Sequence, residues 1–301
     1  MRFYTAEINN KEEILLAFSE GGTIYRLQRL AQLAPELKLR DMQELIENYD
    51  AARAILNRLA ANEDVLRGAA VNLADVKLCA PIVRPRQDVI CLGINYEAHA
   101  REAGHFSDEA FGGERPYTIY FSKRVNRATA CGEAVPAYAG LVDSLDYECE
   151  LGVVLGRDCK GVTAAEAREY IFGYTIINDI SARNLQTRHK QWYLGKSLDG
   201  FTPMGPCLVT ADEIGDEQNL DISCTVNGQL RQSSNTNCMI QTVCGAISEL
   251  SQGMTLQVGT IIATGTPAGV GMGMKPPTFL RHGDEIVCRI EKIGSLVNTV
   301  D

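Results

Sequence analysis

Residues 144–156 read Ser-Leu-Asp-Tyr-Glu-Cys-Glu-Leu-Gly-Val-Val-Leu-Gly. The second half is an apolar run of strand length. The first half sets Asp146, Glu148 and Glu150 at every second position, and alternate side chains of a strand point to one face. Three carboxylates therefore share a face beside a stretch that belongs in a core. Like charges that close repel, and burial makes the repulsion worse. In a strand the α-carbons of Glu148 and Glu150 stand about 6 to 7 Å apart. Both side chains can then lean onto one cation at about 2.0 to 2.1 Å, the Mg–oxygen distance. A divalent ion turns carboxylate repulsion into ligation. Taken alone, D-x-E-x-E reads as a solvated strand face, so the pair needs partners elsewhere in the chain.

Outward from this stretch, from about Leu78 to the end, strand-length apolar runs alternate with Gly, Pro, Asn and Asp turns. They are DVICLGI, TIYFSKR, ECELGVVLG, IFGYTIIN, GPCLVT, LDISCTVNG, GTIIATGT and EIVCRIE. Helical patterns are few: AAEAREYI after Thr163, and TVCGAISELSQ. The pattern predicts a mainly β domain of sandwich or barrel type rather than a doubly wound parallel sheet. The first 75 residues read differently. RFYTAEI, ILLAFSE and TIYRLQRL are short strands, with Gly21-Gly22 marking a hairpin turn. In DMQELIENYDAARAILNRLA, Asp41 and Glu44 suggest a capping box, and Met42, Leu45, Ile46, Tyr49, Ala52, Ile55, Leu56 and Leu59 recur at helical spacing. The expected organisation is a small α+β N-terminal domain over 1–75 and a β-rich domain over 76–301.

Composition narrows the function classes. Among 301 residues, 29 Lys and Arg face 38 Asp and Glu, for a formal net charge of -9. That charge offers no bulk attraction to nucleic acid or anionic membranes, and neither a basic surface nor aromatic platforms stand out. MRFYTAEINN lacks the apolar segment of a signal peptide, and no run reaches the length of a membrane span. The ten cysteines include no C-x-x-C pair. They read as reduced thiols serving as small core residues in a reducing cytoplasm, and not as a zinc site.

Partners for the carboxylates appear along the chain. GYTIINDISAR is an apolar strand ending at Asn178-Asp179, a place suited to a ligand. QWYLGKSLDGFTPMGP sets Lys196 in a turn among aromatic and apolar residues. GTIIATGTPAGVG ends a strand in a Gly-rich loop that offers backbone N–H groups and the hydroxyls of Thr264 and Thr266. NYEAHARE places His99 and Glu102 three residues apart, neighbours on a helical turn, where the carboxylate can orient and charge-stabilise the imidazole. Each feature alone has an ordinary structural reading. Together they are far more specific.

These stretches resemble the fumarylacetoacetate hydrolase family, in particular its small bacterial-type members such as acylpyruvate hydrolases and 2-hydroxyhepta-2,4-diene-1,7-dioate isomerases. The matching residues are GINYEAHARE, LDYECELGVVLG, GYTIINDISARNLQ, GKSLDGFTPMGP, VNGQLRQ, ATGTPAGVG and GDEIVCRIEKIGSLVN, in the family's order over about residues 78–301. The resemblance implies the family's mixed β-sandwich roll and a homodimer. It implies that Glu148, Glu150 and Asp179 bind one Mg²⁺ or Mn²⁺ per subunit, and oxygen-only ligands suit those hard cations. Lys196 falls beside the metal. Arg183 and Gln186 fall on oxyanion and substrate-orienting positions. Thr266, with Gly265, falls on the substrate-carboxylate site. His99 and Glu102 fall on a water-activating dyad carried by a lid that continues into AGHFSDEAFGGERP. Asp146 matches no ligand and is assigned to the rim of the strand.

The implied activity is metal-dependent hydrolysis of a C–C bond in a 2,4-dioxo acid of acylpyruvate type, through an enolate. Decarboxylation, keto–enol tautomerisation or isomerisation, and sugar-acid dehydration share that enolate and stand as alternatives. A non-enzymatic binding protein on an inherited fold would be marked by a lost ligand or lysine, and none is lost. The first 75 residues depart from the larger N-terminal domain of true fumarylacetoacetate hydrolases. Lys123, Arg124 and Arg127 depart too, where many relatives carry Lys-Pro-Ser. Two readings of this cluster stand: a solvated strand end, or at least one side chain facing the remote, acidic end of the substrate. In an extended segment Lys123 and Arg127 would oppose Arg124.

Overall fold

The computed structural model describes residues 1–103 and 117–301; residues 104–116, most of the expected lid segment, lie outside them. In the N-terminal part the strands are β1 (Arg2–Ile8), β2 (Lys11–Ala17), β3 (Ile24–Arg26), β4 (Ala70–Val71) and β5 (Lys77–Cys79). Then come β6 (Val89–Gly93), β7 (Ile119–Lys123), β8 (Ala134–Val135), β9 (Leu145–Asp146), β10 (Cys149–Leu155), β11 (Ile171–Asn178) and β12 (Ser181–Ala182). The chain closes with β13 (Met204–Thr210), β14 (Asp221–Val226), β15 (Gln229–Asn235), β16 (Ile261–Ala263), β17 (Glu285–Ile290) and β18 (Gly294–Val300).

The large sheet runs β4-β3-β2-β1-β13-β11-β10-β16-β6-β7, with β5 also paired to β1. A five-stranded sheet runs β15-β14-β17-β18-β8, and β9 pairs with β12. Pairing is antiparallel except for β16 with β6 and β18 with β8. Alternate residues of the central strands serve two cores. Val153, Ile176 and Val209 pack with Cys224, Ile286 and Leu296 of the second sheet. Val154, Ile177 and Leu208 pack with Phe3, Leu16, Leu45 and Leu56. Burial on both faces explains why Cys149 to Leu155 is apolar almost throughout and wholly buried.

The strands of residues 1–75 belong to this same sheet: Arg2 pairs with Val209 and Phe3 with Leu208. Hydrogen bonding thus crosses the boundary expected near residue 75. Three local expectations need correction. TIYRLQRL stays extended only to Arg26 and then turns into a helix, Leu27–Leu30, which buries Leu27 and Leu30. The helix over 41–60 is two, Met42–Glu47 and Tyr49–Ala60. Asp41 does cap the first by accepting the Glu44 amide. At the break Asn48, at φ −110° and ψ 18°, donates both its side-chain amide at 2.8 Å and its backbone amide at 3.1 Å to the Glu44 carbonyl, which caps the first helix. Beyond the break Tyr49 packs on Phe3 and Phe172, with ring centroids 6.0 and 4.7 Å away. AAEAREYI forms only a short 3₁₀ turn, Ala167–Tyr170, because Ile171 already starts β11. TVCGAISELSQ holds its helix, Val243–Ser251, with Thr242 accepting the Gly245 amide.

All ten cysteines are free thiols, and all but Cys131, Cys238 and Cys244 are buried. Among the described residues no helix is long and apolar enough to cross a membrane.

Candidate metal centre and active site

The carboxylates meet where β10 begins and β11 ends. The Asn178 side chain accepts the Glu148 amide at 3.0 Å, and the Asp179 amide donates to the Glu148 carbonyl at 2.8 Å. These two bonds lock the strand ends together. One oxygen each from Glu148, Glu150 and Asp179 lies within 4.8 Å of the others, and all three residues are buried. Lys196 closes a short helix, Tyr193–Lys196, and its Nζ donates to Glu148 Oε2 at 2.8 Å and Asp179 Oδ2 at 2.6 Å. The predicted cluster is therefore brought together in space.

The electrostatics are uneven. Burial pushes the Glu148 carboxyl up, but Lys196 and then Arg183 outweigh it and hold the group below the ordinary range. Burial pushes Glu150 the same way, and Asp179 and Glu148 add to it, so its carboxyl lies well above the ordinary range. It accepts the Gly265 amide at 2.8 Å. Burial works against the charge on Lys196, and Asp179 and Glu148 more than restore it. Glu150 is thus a buried acid repelled by its neighbours, in a donor set made only of carboxylate oxygens. That is the environment a hard divalent cation relieves, and the residues fit one.

Asp146 is a correction. It does not sit on the rim of the strand but is wholly buried. Its oxygens accept the backbone amides of Tyr147, Gly271 and Met272 at 2.9, 2.7 and 2.9 Å, and Arg183 Nε at 2.9 Å. The strand pairing breaks at Tyr147-Glu148, between β9 and β10, and the break takes Asp146 out of the row. Arg183 spans the two acids: its Nη1 lies 2.7 Å from Glu148 Oε1 and donates to Gln186 Oε1 at 3.0 Å. Arg183 and Gln186 share one helical turn of Arg183–Arg188, which explains their contact.

The dyad forms on the helix Glu97–Ala103, where His99 Nδ1 faces Glu102 Oε2 at 3.0 Å. Glu102 also accepts the Gly269 amide at 3.1 Å, which ties the helix to the Gly-rich loop. The Asn95 side chain staples the approach to this helix, donating to the Thr264 and Gln241 carbonyls at 2.8 and 2.9 Å. It holds Ile94 at φ 54°, an unusual backbone angle for a β-branched residue. Gly265, at φ 89°, has no room for a side chain, since a Cβ would lie 2.7 Å from that of Asn95. Its amide holds Glu150. Thr266 Oγ1 donates to the Cys149 carbonyl at 2.9 Å and accepts from Gln232 Nε2 at 2.8 Å. Gln232 also donates to the Pro267 carbonyl and accepts the Cys149 amide. It ties the metal strand to the loop, a role not assigned from sequence; the available signal was a long amide at the end of VNGQLRQ.

A small cavity joins these groups: His99, Glu148, Glu150, Arg183, Gln186, Lys196 and Thr266 form its polar side. Ile94, Phe121, Trp192 and Met272 are on its apolar side. The basic cluster divides. Arg124 pairs with Asp88 at 2.9 Å and Arg127 with Glu133 at 2.7 Å, both partly exposed and, among the described residues, outside this cavity. For these two the solvated reading holds, and neither reads a remote acidic group there. Lys123 fits neither reading. It is wholly buried, with Nζ on Asp179 Oδ1 at 2.5 Å and on the Ile180 carbonyl at 3.0 Å. Being next in an extended strand, it points away from Arg124, into the metal centre.

Residues 88–301 match the fumarylacetoacetate (FAA) hydrolase C-terminal domain. The chain belongs to the fumarylacetoacetate hydrolase family. It is 41% identical over 306 residues to oxaloacetate tautomerase YisK of Bacillus subtilis strain 168, covering 100% of both chains. A fumarylacetoacetate hydrolase from the psychrophile Exiguobacterium antarcticum is 36% identical with a TM-score of 0.80, covering 100% of this chain and 99% of that one. A maleylpyruvate hydrolase from Sphingobium sp. SYK-6, solved with manganese(II) and pyruvate, is 28% identical with a TM-score of 0.76, covering 100% and 98%. The family thus spans tautomerase and hydrolase members on this fold, which is the fold expected from the motifs.

Proposed function

We propose that the protein is a divalent-metal-dependent enzyme of 2-oxo acid keto–enol chemistry, with tautomerisation of a short 2-oxo acid such as oxaloacetate as its reaction. One observation carries this reading: the His99 imidazole, backed by Glu102 at 3.0 Å, shares a small cavity with the buried carboxylate triad and Lys196. The full-length likeness to an oxaloacetate tautomerase supports this choice of reaction. Glu148, Glu150 and Asp179 would hold Mg²⁺ or Mn²⁺, which when bound polarises the 2-oxo group and acidifies the neighbouring carbon.

The chain's own residues do the rest. With Nδ1 turned to Glu102, His99 presents Nε2 to the cavity, where it takes a proton from the carbon beside the oxo group and returns one to oxygen. Glu102 stabilises the imidazolium formed between these steps. Lys196 and Arg183 supply positive charge where enolate oxygen develops, already fixed in place by Glu148 and Asp179. Ile94, Phe121, Trp192 and Met272 keep that side of the cavity apolar. A second reading, hydrolysis of a 2,4-dioxo acid, rests on the same dyad taking its proton from water. The likeness to a maleylpyruvate hydrolase supports it.

The test supplies Mn²⁺- or Mg²⁺-loaded protein with enol oxaloacetate and, separately, with acylpyruvates. Loss of enol absorbance without pyruvate release supports tautomerisation. Pyruvate release from an acylpyruvate favours hydrolysis, and full activity after exhaustive chelation refutes both. The free thiols support a reducing cytoplasm, and sedimentation tests the expected homodimer.

A further inference from the structure

We propose that Lys123 sets the charge of the metal centre through Asp179, so that the site favours a doubly charged, enolate-like ligand over a singly charged 2-oxo acid. The inference rests on the function proposed above. Lys123 ends β7 and is wholly buried. Its ammonium lies on Asp179 Oδ1, while that of Lys196 lies on Oδ2 at 2.6 Å. One carboxylate therefore carries two ammonium partners. A structural anchor for Asp179 needs only one. Taking a second ammonium out of water is costly, and apolar packing at such a position is commonly as stable or more so. The two ammoniums also oppose each other. Beyond the bond from Lys123 to the Ile180 carbonyl at 3.0 Å, which a neutral Gln can also supply, the second ammonium adds no anchor for Asp179 that Lys196 lacks.

The charge count gives the second lysine a purpose. Asp146 and Arg183 cancel as a pair. With all three acids ionised, as ligation requires, Glu148, Glu150 and Asp179 oppose Lys123 and Lys196, which leaves one negative charge. A divalent cation turns this into one positive charge. The 2-oxo-carboxylate end of a substrate, with one charge, then neutralises the site, and the same end as enolate, with two charges, is still drawn to both lysines. Without Lys123 the metal-loaded centre is neutral before the ligand arrives. The Coulomb loss scales with ligand charge, so a dianion loses about twice as much in log affinity as a monoanion. At the effective dielectric of protein interiors, and partly screened by the carboxylate it contacts, one such charge changes the binding constant of a monoanion by roughly three- to tenfold. Lys123 touches no reacting atom. It is a positioning residue acting through Asp179.

The experiment titrates wild type, Lys123→Met, Lys123→Gln and Lys123→Arg with MnCl₂. The Mn²⁺-loaded proteins are then titrated with oxalate, a dianion, and pyruvate, a monoanion. In the Met and Gln variants we expect Mn²⁺ to bind as tightly as in wild type or tighter, because a neighbouring positive charge has gone. Oxalate should weaken on the order of ten- to a hundredfold, and pyruvate by about the square root of that factor. Lys123→Arg should restore the oxalate-to-pyruvate ratio to within about threefold, keeping the charge. Equal weakening of both ligands overturns the inference. So does a large loss of Mn²⁺ affinity in the Gln variant, which would make Lys123 a mere prop for Asp179. If Lys123→Met does not fold, the Gln and Arg variants decide the same ratio. A wild type that binds neither Mn²⁺ nor oxalate removes the proposed function and this inference together, whereas a binding wild type with unchanged ratios removes only the latter.

Discussion

Replacing Asp146 with Asn changes one atom and reverses the role of one hydrogen-bond position in a wholly buried network. Oδ1 accepts the amides of Tyr147 and Gly271 at 2.9 and 2.7 Å. Oδ2 accepts the Met272 amide and Arg183 Nε, both at 2.9 Å, and Arg183 Nη2 also lies 2.9 Å away. An Asn side chain can keep the first oxygen, but its NH₂ group then faces three N–H groups. Flipping the amide only moves the clash to the other two donors. Breaking one side of a buried ion pair costs about 3 to 5 kcal/mol. Arg183 keeps Glu148 at 2.7 Å and Gln186 at 3.0 Å, which puts the expected loss near the lower bound, about 3 kcal/mol. At roughly 2 °C per kcal/mol for a chain of this size, Tm should fall by about 6 °C. Arg183 would also lean harder on Glu148 and compete with the cation, so Mn²⁺ affinity should fall as well. Thermal unfolding of the metal-free protein and a Mn²⁺ titration measure the two effects. A variant with wild-type Tm and wild-type Mn²⁺ affinity would refute the reasoning, because Asp146 would then anchor neither Arg183 nor the Gly-rich loop.

Glu150, raised above the ordinary carboxyl range by burial and by Asp179 and Glu148, should make metal binding proton-linked. Its protonated form is favoured below the raised pKa, so Mn²⁺ affinity should climb with pH through that value, with proton release seen by calorimetry in two buffers. In the metal-free protein its contribution to stability is fully present below the ordinary carboxyl pKa and is lost as pH rises through the raised one. The Tm gain from Mn²⁺ should therefore widen with pH, and a pH-independent gain would count against the assignment. His99→Ala should leave Mn²⁺ and oxalate affinities nearly intact and cut turnover on the order of 10²- to 10⁴-fold, as loss of a general acid–base does; normal turnover would remove His99 from the mechanism. Glu102→Ala should in addition speed amide exchange along Glu97–Ala103, because Glu102 also holds the Gly269 amide, and unchanged exchange would deny that tie. Arg124→Ala and Arg127→Ala should leave kcat/KM within about twofold for mono- and dicarboxylate substrates alike, since both lie in partly exposed ion pairs.

The one-dimensional pattern carries a good deal of this protein. Spacing places Glu148 and Glu150 on one strand, ends a buried strand at Asp179, and sets His99 beside Glu102 on a helical turn; these are local rules of period and reach. Local rules fail where a distant partner intervenes. The helix over 41–60 breaks at Asn48, whose backbone leaves the helical region while its amide and side chain both close on the Glu44 carbonyl and its own carbonyl starts the next helix. Asp146 leaves the row of acids because the strand breaks at Tyr147-Glu148, and its partners are Arg183 and the amides of Gly271 and Met272, from 37 to 126 residues away. Lys123 looks like one of three basic residues at a strand end; alternation sets it opposite Arg124 but does not say which of the two faces the site. Pairing of β6 with both β16 and β7 carries it to Asp179, 56 residues on, where desolvation and a second ammonium give its charge a new meaning. Gln232 is likewise an ordinary amide until the second sheet sets it against Cys149 and Thr266. The sequence alone determined which residue types can hold a cation and move a proton. Tertiary structure alone decided how many charges surround them, because Coulomb energy depends on distances that a chain establishes only when it folds.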